Sequence, residues 1–484
     1  MNYTLILHVF GVLLMAYSAT MLPPMLVALY YNDGGAVPFL CGFAIAFGAG
    51  LIAWFSVLRR PRRELRAKDG FFIVVMFWTL LAIFGAMPLY LFTQPVISFT
   101  DAVFEAVSGL TTTGATVLTQ LDDMPRSLLY YRQQLQWLGG MGIVVLAVAV
   151  LPMLGVGGMQ LYKAETPGPM KDSKLTPRIT ETAKALWYLY VALTVICTLC
   201  YWWAGMGLFD AVGHSFSTIA TGGLSTHDQS IGYFDSPLIE GICIFFMIIS
   251  SFNFALHFAA IQNKTLRQYL IDAEVRVFLA VLLVIALVTA LVLWLAGVYA
   301  SPFDALRYAA FQTVAITTST GFGAADFSVW PTVVISFLLV GSFIGGCAGS
   351  TAGGLKVIRV WLLVKLMSRE IRRLIHPASV ATTKIGNKPV SDRVIEAVSG
   401  YIGAYLIVFV VLLLAVLATG LDFITGFSAV IAALNNLGPG IGEVASHFQQ
   451  VPNATKWILS LGMLLGRLEI FPILIILTPG FWRT

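Results

Sequence analysis

The sequence predicts an all-α integral membrane protein, an N-terminal two-helix hairpin followed by four helix–pore loop–helix repeats around a central pore. Three observations predict it. Of the 484 residues, 58% are hydrophobic and only 11% charged, whereas a water-facing surface needs about 25% charged residues. The apolar stretches reach about twenty residues, the length of a helix that crosses a bilayer. Short semi-apolar pieces ending at a glycine recur at intervals of roughly a hundred residues, which marks an internal array. This composition excludes disordered, coiled-coil and collagenous chains and argues strongly against a large soluble enzyme.

In chain order, the apolar runs place ten crossings at 3–31, 37–58, 70–93, 130–157, 185–206, 237–260, 277–300, 331–367, 396–420 and 457–478. The first run has no basic segment before it and continues past Tyr30, so it reads as a retained helix rather than a cleaved signal. The hairpin occupies 1–68, and the repeats occupy 69–162, 163–265, 266–385 and 386–484. With this topology 24 of the 29 Lys and Arg fall on one face, in 59–68, 163–184, 264–276, 356–393 and at Arg483. Positive charge marks the cytoplasmic side, so both termini are expected inside.

The opposite connections carry the informative pieces. They are DAVFEAVSGLTTTGAT (101–116), FDAVGHSFSTIATGGLST (209–226), FDALRYAAFQTVAITTSTGFG (303–323) and LDFITGFSAVIAALNNLGPGIG (421–442). Each begins near an aspartate (Asp101, Asp210, Asp304, Asp422) suited to cap a helix N-terminus. Each then gives one to four helical turns and ends at a glycine, and Gly114, Gly222, Gly321 and Gly438 align. None is long enough to span, so each is a re-entrant candidate.

Non-helical backbone at membrane depth costs several kcal/mol per unpaired polar group unless protein buries it or it lines a polar cavity. Four such turns on one axis offer carbonyl oxygens in place of a cation's water. Short helices ending there add the negative ends of their dipoles. Ordinary external loops with glycine turns are the plain alternative, and four matching turns in four span pairs speak against it.

The loops TTTGAT (111–116), TIATGG (218–223), TTSTGF (317–322) and NNLGPG (435–440) resemble the filter loops of the Trk/Ktr/HKT superfamily of potassium transporters. FIGGCAGSTAGGLKVIR (343–359) and GRLEIFP (466–472) resemble the bacterial Trk transmembrane subunit in particular. The resemblance covers the whole chain. It implies potassium uptake across the inner membrane through filter carbonyls at Thr112, Thr113 and Gly114; Ala220, Thr221 and Gly222; Ser319, Thr320 and Gly321; and Asn436, Leu437 and Gly438. All four aligned positions are glycine, which in the family goes with potassium over sodium; Leu437 and Pro439 depart most from the pattern. The resemblance further implies K+ as the transported ion with no organic cofactor in this chain, a homodimer, a cytosolic ring of nucleotide-binding (NAD or ATP) regulatory subunits, and surrounding membrane lipid. No nucleic acid is implied.

The run 331–367 is long for one crossing and is interrupted by GGCAGSTAGG (345–354), where each glycine costs about 1 kcal/mol in a helix relative to alanine. A glycine-rich packing face is one alternative. A phosphate loop is another, although no GK[ST] follows. The family places a gate here: Gly345, Gly346, Gly349, Ser350, Thr351, Gly353 and Gly354, with Arg467 of the last span facing the pore beneath the filter. An ionisable group at that depth is a functional candidate by default, and pairing with nearby Glu469 is the structural alternative.

Nothing in the sequence suggests catalysis. Cys41, Cys197, Cys200, Cys243 and Cys347 lie in apolar or glycine-rich segments, and His214 reads as a packing or hydrogen-bonding residue. A secondary transporter with alternating access (K+/H+ or K+/Na+ symport) remains the rival reading, but such folds use two halves rather than four like-oriented repeats. The basic cluster Arg369, Arg372, Arg373, Lys384 and Lys388 suits either the regulatory ring or anionic lipid.

Overall fold

The computed structural model describes residues 3–58, 67–145, 179–377, 382–386 and 388–483. Most of the basic loop 59–68, the residues Lys163, Lys171, Lys174 and Arg178, and the end of the expected span 130–157 lie outside them. The regular secondary structure of the described residues is helical, apart from one two-residue antiparallel hairpin pairing Lys384–Ile385 with Lys388–Pro389.

The N-terminal span Tyr3–Ser18 passes through a tight turn into Leu22–Tyr31. Pro23 and Pro24 explain the irregularity, since neither has an N–H to continue the ladder. Asn32 then adopts a left-handed conformation, and Ala36–Val57 returns across the membrane.

Among the described residues, length and apolarity alone single out six helices able to span, or eight if each of two sharply bent pairs counts as one. Two expected spans are not among these: 130–157, described only as far as Val145, and 331–367. Arg126–Val145 carries Arg132, Gln133, Gln134 and Gln136 among its apolar residues. The run 331–367 stops as a helix at Ile344 and resumes only at Val357.

Two of the expected crossings, 237–260 and 457–478, are sharply bent pairs. Pro237–Ser250 meets Phe254–Gln262 at 92°. The side chain of Asn253 accepts from Ala255 N at 2.8 Å and so starts a new helix in a new direction. Asn453–Arg467 meets Phe471–Leu477 at 115°. Here Glu469 and Ile470 both have positive φ, and Pro472 withholds the N–H that would have joined the helices.

Four short helices stand between the spans: Phe99–Leu110, Leu208–Ile219, Pro302–Thr317 and Phe423–Leu434. Of the four aspartates expected as caps, only Asp422 is one, accepting from Ile424 N and Thr425 N at 3.0 Å. Ser98 and Ser301 take that place in the first and third, and Gly207 in the second. Asp101, Asp210 and Asp304 sit within the first turn instead, where they still oppose the positive end of the dipole. Asp101 also pairs with Lys456 at 2.6 Å, fastening the first short helix to the last inner helix.

Candidate functional site

Each short helix ends in the same sequence of backbone states. Thr111, Ala220, Thr318 and Asn435 are the C-terminal caps. The next residues, Thr112, Thr221, Ser319 and Asn436, have φ between 51° and 54°. Each of their N–H groups bonds the carbonyl three residues back. Two positions after these stand Gly114, Gly223, Gly321 and Gly438, with φ of 81°, 78°, 81° and 93°.

This equivalence corrects the register of the second loop by one residue. Gly223, not Gly222, matches the other three glycines, and Ala220 belongs to the helix cap. The adjacent glycines made the sequence alignment ambiguous; the left-handed backbone, which glycine adopts without penalty, resolves it.

The glycines also stand where side chains would collide. A Cβ on Gly114 would lie 2.0 Å from the Gly222 carbonyl oxygen, one on Gly223 1.9 Å from that of Thr320, one on Gly321 2.1 Å from that of Leu437, and one on Gly438 2.8 Å from that of Thr113. The contacts run from loop one to two, three, four and back to one. The turns therefore form a closed ring in which each glycine admits its neighbour's carbonyl.

Side chains hold the ring from behind. Thr111 and Thr113 hydroxyls meet at 2.7 Å, as do those of Thr318 and Thr320. Asn436 Nδ2 donates to Thr113 Oγ1 at 2.9 Å and to the Met463 carbonyl at 3.0 Å. Behind the first loop Arg132 Nε donates to Glu105 Oε1 at 2.6 Å, with both side chains about 1% exposed. Glu105 also accepts from Thr116 Oγ1 and Val117 N, each at 3.0 Å, where the loop leaves the ring.

A cavity of about 710 Å³ lies over the outer face of the ring, reaching Gly114, Gly223, Gly321 and Gly438 and bounded by His227, Asp228, Asp326 and His447. At its rim His227 stacks on Tyr233, 3.5 Å between ring centres, bonds Asp122 and lies 3.5 Å from Asp210. Partial burial opposes protonation of His227, but the two carboxylates outweigh it and hold its pKa above the ordinary value. A raised imidazole pKa stabilises the fold fully below about pH 6.5, and the gain is lost as pH rises through the raised value. We therefore expect His227→Gln to lower the melting temperature of detergent-solubilised protein at pH 6 and to leave it nearly unchanged at pH 9. A deficit independent of pH would contradict the ion pairing.

On the inner side the segment 345–356 lies directly beneath the ring. Gly354 N donates to the Asn435 carbonyl at 3.1 Å, and a Cβ on Gly353 would lie 2.1 Å from that oxygen. Thr351 Oγ1 reaches the carbonyls of Ile219 and Ser250, each at 3.1 Å. Gly345 and Gly349 also have positive φ. Cys347 N donates to the Ser251 carbonyl at 2.9 Å, and Phe254 N to that of Gly349 at 3.1 Å, so the segment is stitched to the bend after Ser250. Gly346 accepts from Val357 N at 3.1 Å, and Ser350 Oγ bonds the Cys347 carbonyl.

Arg467 Nη1 donates to the Thr351 carbonyl at 2.8 Å, while its Nε and Nη2 have no hydrogen-bond partner in the structure. Glu469 pairs instead with Arg359 at 2.8 Å, so the sequence alternative of an Arg467–Glu469 pair is not what the fold adopts. The same pair ties the last span's bend to the helix Val357–Ile375 that leaves the segment. Among the described residues no group of three or more His, Cys, Asp or Glu is placed to hold a metal. His214 is buried between the Asp210 carbonyl and Ser225 Oγ, as a hydrogen-bonding residue.

Sequence reasoning missed Arg132, Gln136 and Asn253. The first two carried a signal, since polar side chains within an expected span mark functional or structural contacts.

The profile of the TrkH family, described as cation transport protein, matches residues 38–480. The chain is 53% identical over 483 residues to the Trk system potassium uptake protein TrkH of Halomonas elongata, covering 100% of both. It is 43% identical over 477 residues to the Trk system potassium uptake protein TrkG of Escherichia coli K12, covering 99% of this chain and 98% of that one. The crystal structure of the potassium transporter TrkH from Vibrio parahaemolyticus matches with a TM-score of 0.92 at 51% identity, covering 100% of both chains.

Proposed function

Because this chain belongs to the TrkH family of cation transport proteins, we propose that it takes up potassium through the ring of four re-entrant turns. The observation that carries the reading is the closed circuit in which four positive-φ glycines each face a neighbouring loop's carbonyl. The ion's ligands are the backbone oxygens of Thr112, Thr113 and Gly114; Thr221, Gly222 and Gly223; Ser319, Thr320 and Gly321; and Asn436, Leu437 and Gly438. Ala220 drops from the expected set with the shift of register. Carbonyl dipoles replace the hydration shell, and the C-terminal ends of the four short helices add negative potential.

The segment containing Gly345, Gly346, Gly349, Ser350, Thr351, Gly353 and Gly354 is the gate, held shut by Arg467. Its hydrogen bonds to the bases of the second and fourth short helices support this role. In this reading the chain is not an enzyme, and residues 1–68 form a hairpin beside repeats at 69–162, 163–265, 266–385 and 386–484. It works in the bacterial inner membrane with both termini in the cytoplasm. Lys68 Nζ donates to the Arg483 carbonyl at 3.2 Å, which supports a common side for those two residues. The active form is a homodimer regulated by a cytosolic nucleotide-binding ring.

The test is Gly114→Ser. Its Cβ has to displace the Gly222 carbonyl, and losing one ligand interaction of about 1–1.5 kcal/mol lowers discrimination about tenfold. Potassium and sodium fluxes in a potassium-uptake-deficient cell should show that fall in ratio. An unchanged ratio at normal protein level would remove Gly114 from the filter.

A further inference from the structure

The second loop lacks the means by which the others hold their ring carbonyl. Thr113 and Thr320 are pinned through their hydroxyls, and Leu437 is buried beside the doubly bonded Asn436. The second loop has Gly222 there and Ala220 two residues earlier, so the hydroxyl pair of the first and third loops has no counterpart; Thr221 Oγ1 bonds the Ala220 carbonyl instead, not that of Gly222. The space is filled from another repeat: a Cβ on Gly222 would lie 2.4 Å from Cδ of Gln136.

Gln136 is fully buried on the helix Arg126–Val145. Its Nε2 donates to the Gly222 carbonyl at 2.6 Å, and its Oε1 accepts from Leu224 N at 3.1 Å. The carboxamide thus straddles Gly223 as a neighbouring strand would. One helical turn earlier, Gln133 Nε2 donates to the Leu224 carbonyl at 3.3 Å. Among the described residues no side-chain donor reaches the carbonyls of Thr113, Thr320 or Leu437, so the ring is asymmetric.

We propose that Gln136 is a positioning residue for cation discrimination, anchoring the second loop and weakening the pull of one ring carbonyl on the ion. The inference rests on the ring being the filter. A carbonyl oxygen has two lone pairs; a donor on one leaves less charge for the cation and stops the peptide from rotating. The Gly222–Gly223 peptide is otherwise the least restrained in the ring, with no side chain on either residue. A ring of lower field strength favours the larger, less tightly hydrated ion, here potassium over sodium.

The experiment compares potassium and sodium flux ratios for wild type, Gln136→Met and, as a control in a loop that Gln136 does not touch, Gly321→Ser. Gln136→Met removes donor and acceptor at similar volume and is expected to lower the ratio several-fold. The ratio is independent of the amount of protein, so a merely structural role would not move it. Where Gln136→Met fails to accumulate, Gln136→Asn, which keeps a carboxamide too short to bridge both groups, carries the test. A wild-type ratio in the Gln136 variant, with or without a proportional loss of both fluxes, overturns the anchor. If Gly321→Ser still alters the ratio, the filter reading survives that result; if no variant alters it, both readings fall.

Discussion

Replacing Arg467 by Ala is expected to raise the resting potassium flux by about thirtyfold. The guanidinium is buried below the ring, with one nitrogen on the Thr351 carbonyl and two without a hydrogen-bond partner. Taking roughly 8 Å between that charge and a passing cation as an order of magnitude, with an effective dielectric near 20, the opposition is about 2 kcal/mol, or about thirtyfold. Removing the side chain also frees the Thr351 carbonyl, leaving the segment 345–356 on its bonds to Ile219, Ser250 and Asn435. Flux per folded molecule in proteoliposomes without regulatory partners checks this. Reduced yield with unchanged flux per molecule would assign Arg467 to structure alone.

The largest stability effect is expected at Glu105. Truncation to Ala leaves Arg132 buried without its carboxylate, and breaking a buried pair costs about 3–5 kcal/mol. Glu105 also fixes Thr116 and Val117, so the first loop should loosen as the protein destabilises. Glu105→Gln retains an acceptor and should lose less. Thermal unfolding in detergent should rank wild type above Glu105→Gln and Glu105→Ala lowest. Equal midpoints would mean that Arg132 finds another partner.

The fold class was legible because it follows from sums over long windows: too few charges for a soluble surface and apolar runs of bilayer length. The four turns were legible because a local pattern recurs, so TTTG at Thr111 gained weight from its counterparts. The second loop misled by one residue because Gly222 and Gly223 are both glycine, and only the backbone angles distinguish them. The bends at Asn253 and Ile470 were not legible in mean hydropathy, since each bent pair still passes as one apolar span. They arise from a capping side chain and a proline acting with tertiary packing. Asp101, Asp210 and Asp304 misled because an acidic residue suits the cap and the first turn alike. Gln136 was beyond reach in detail, because its partners lie 86 and 88 residues further along the chain.

The central claim, that four backbone turns of one chain bind the transported ion, is tested most directly by crystallography with rubidium in place of potassium. The account predicts an anomalous peak on the ring axis, surrounded by the carbonyls of Thr113, Gly222, Thr320 and Leu437 and weakened by Gly114→Ser. A well-ordered ring with no peak there, or rubidium bound only elsewhere in the membrane region, would contradict it.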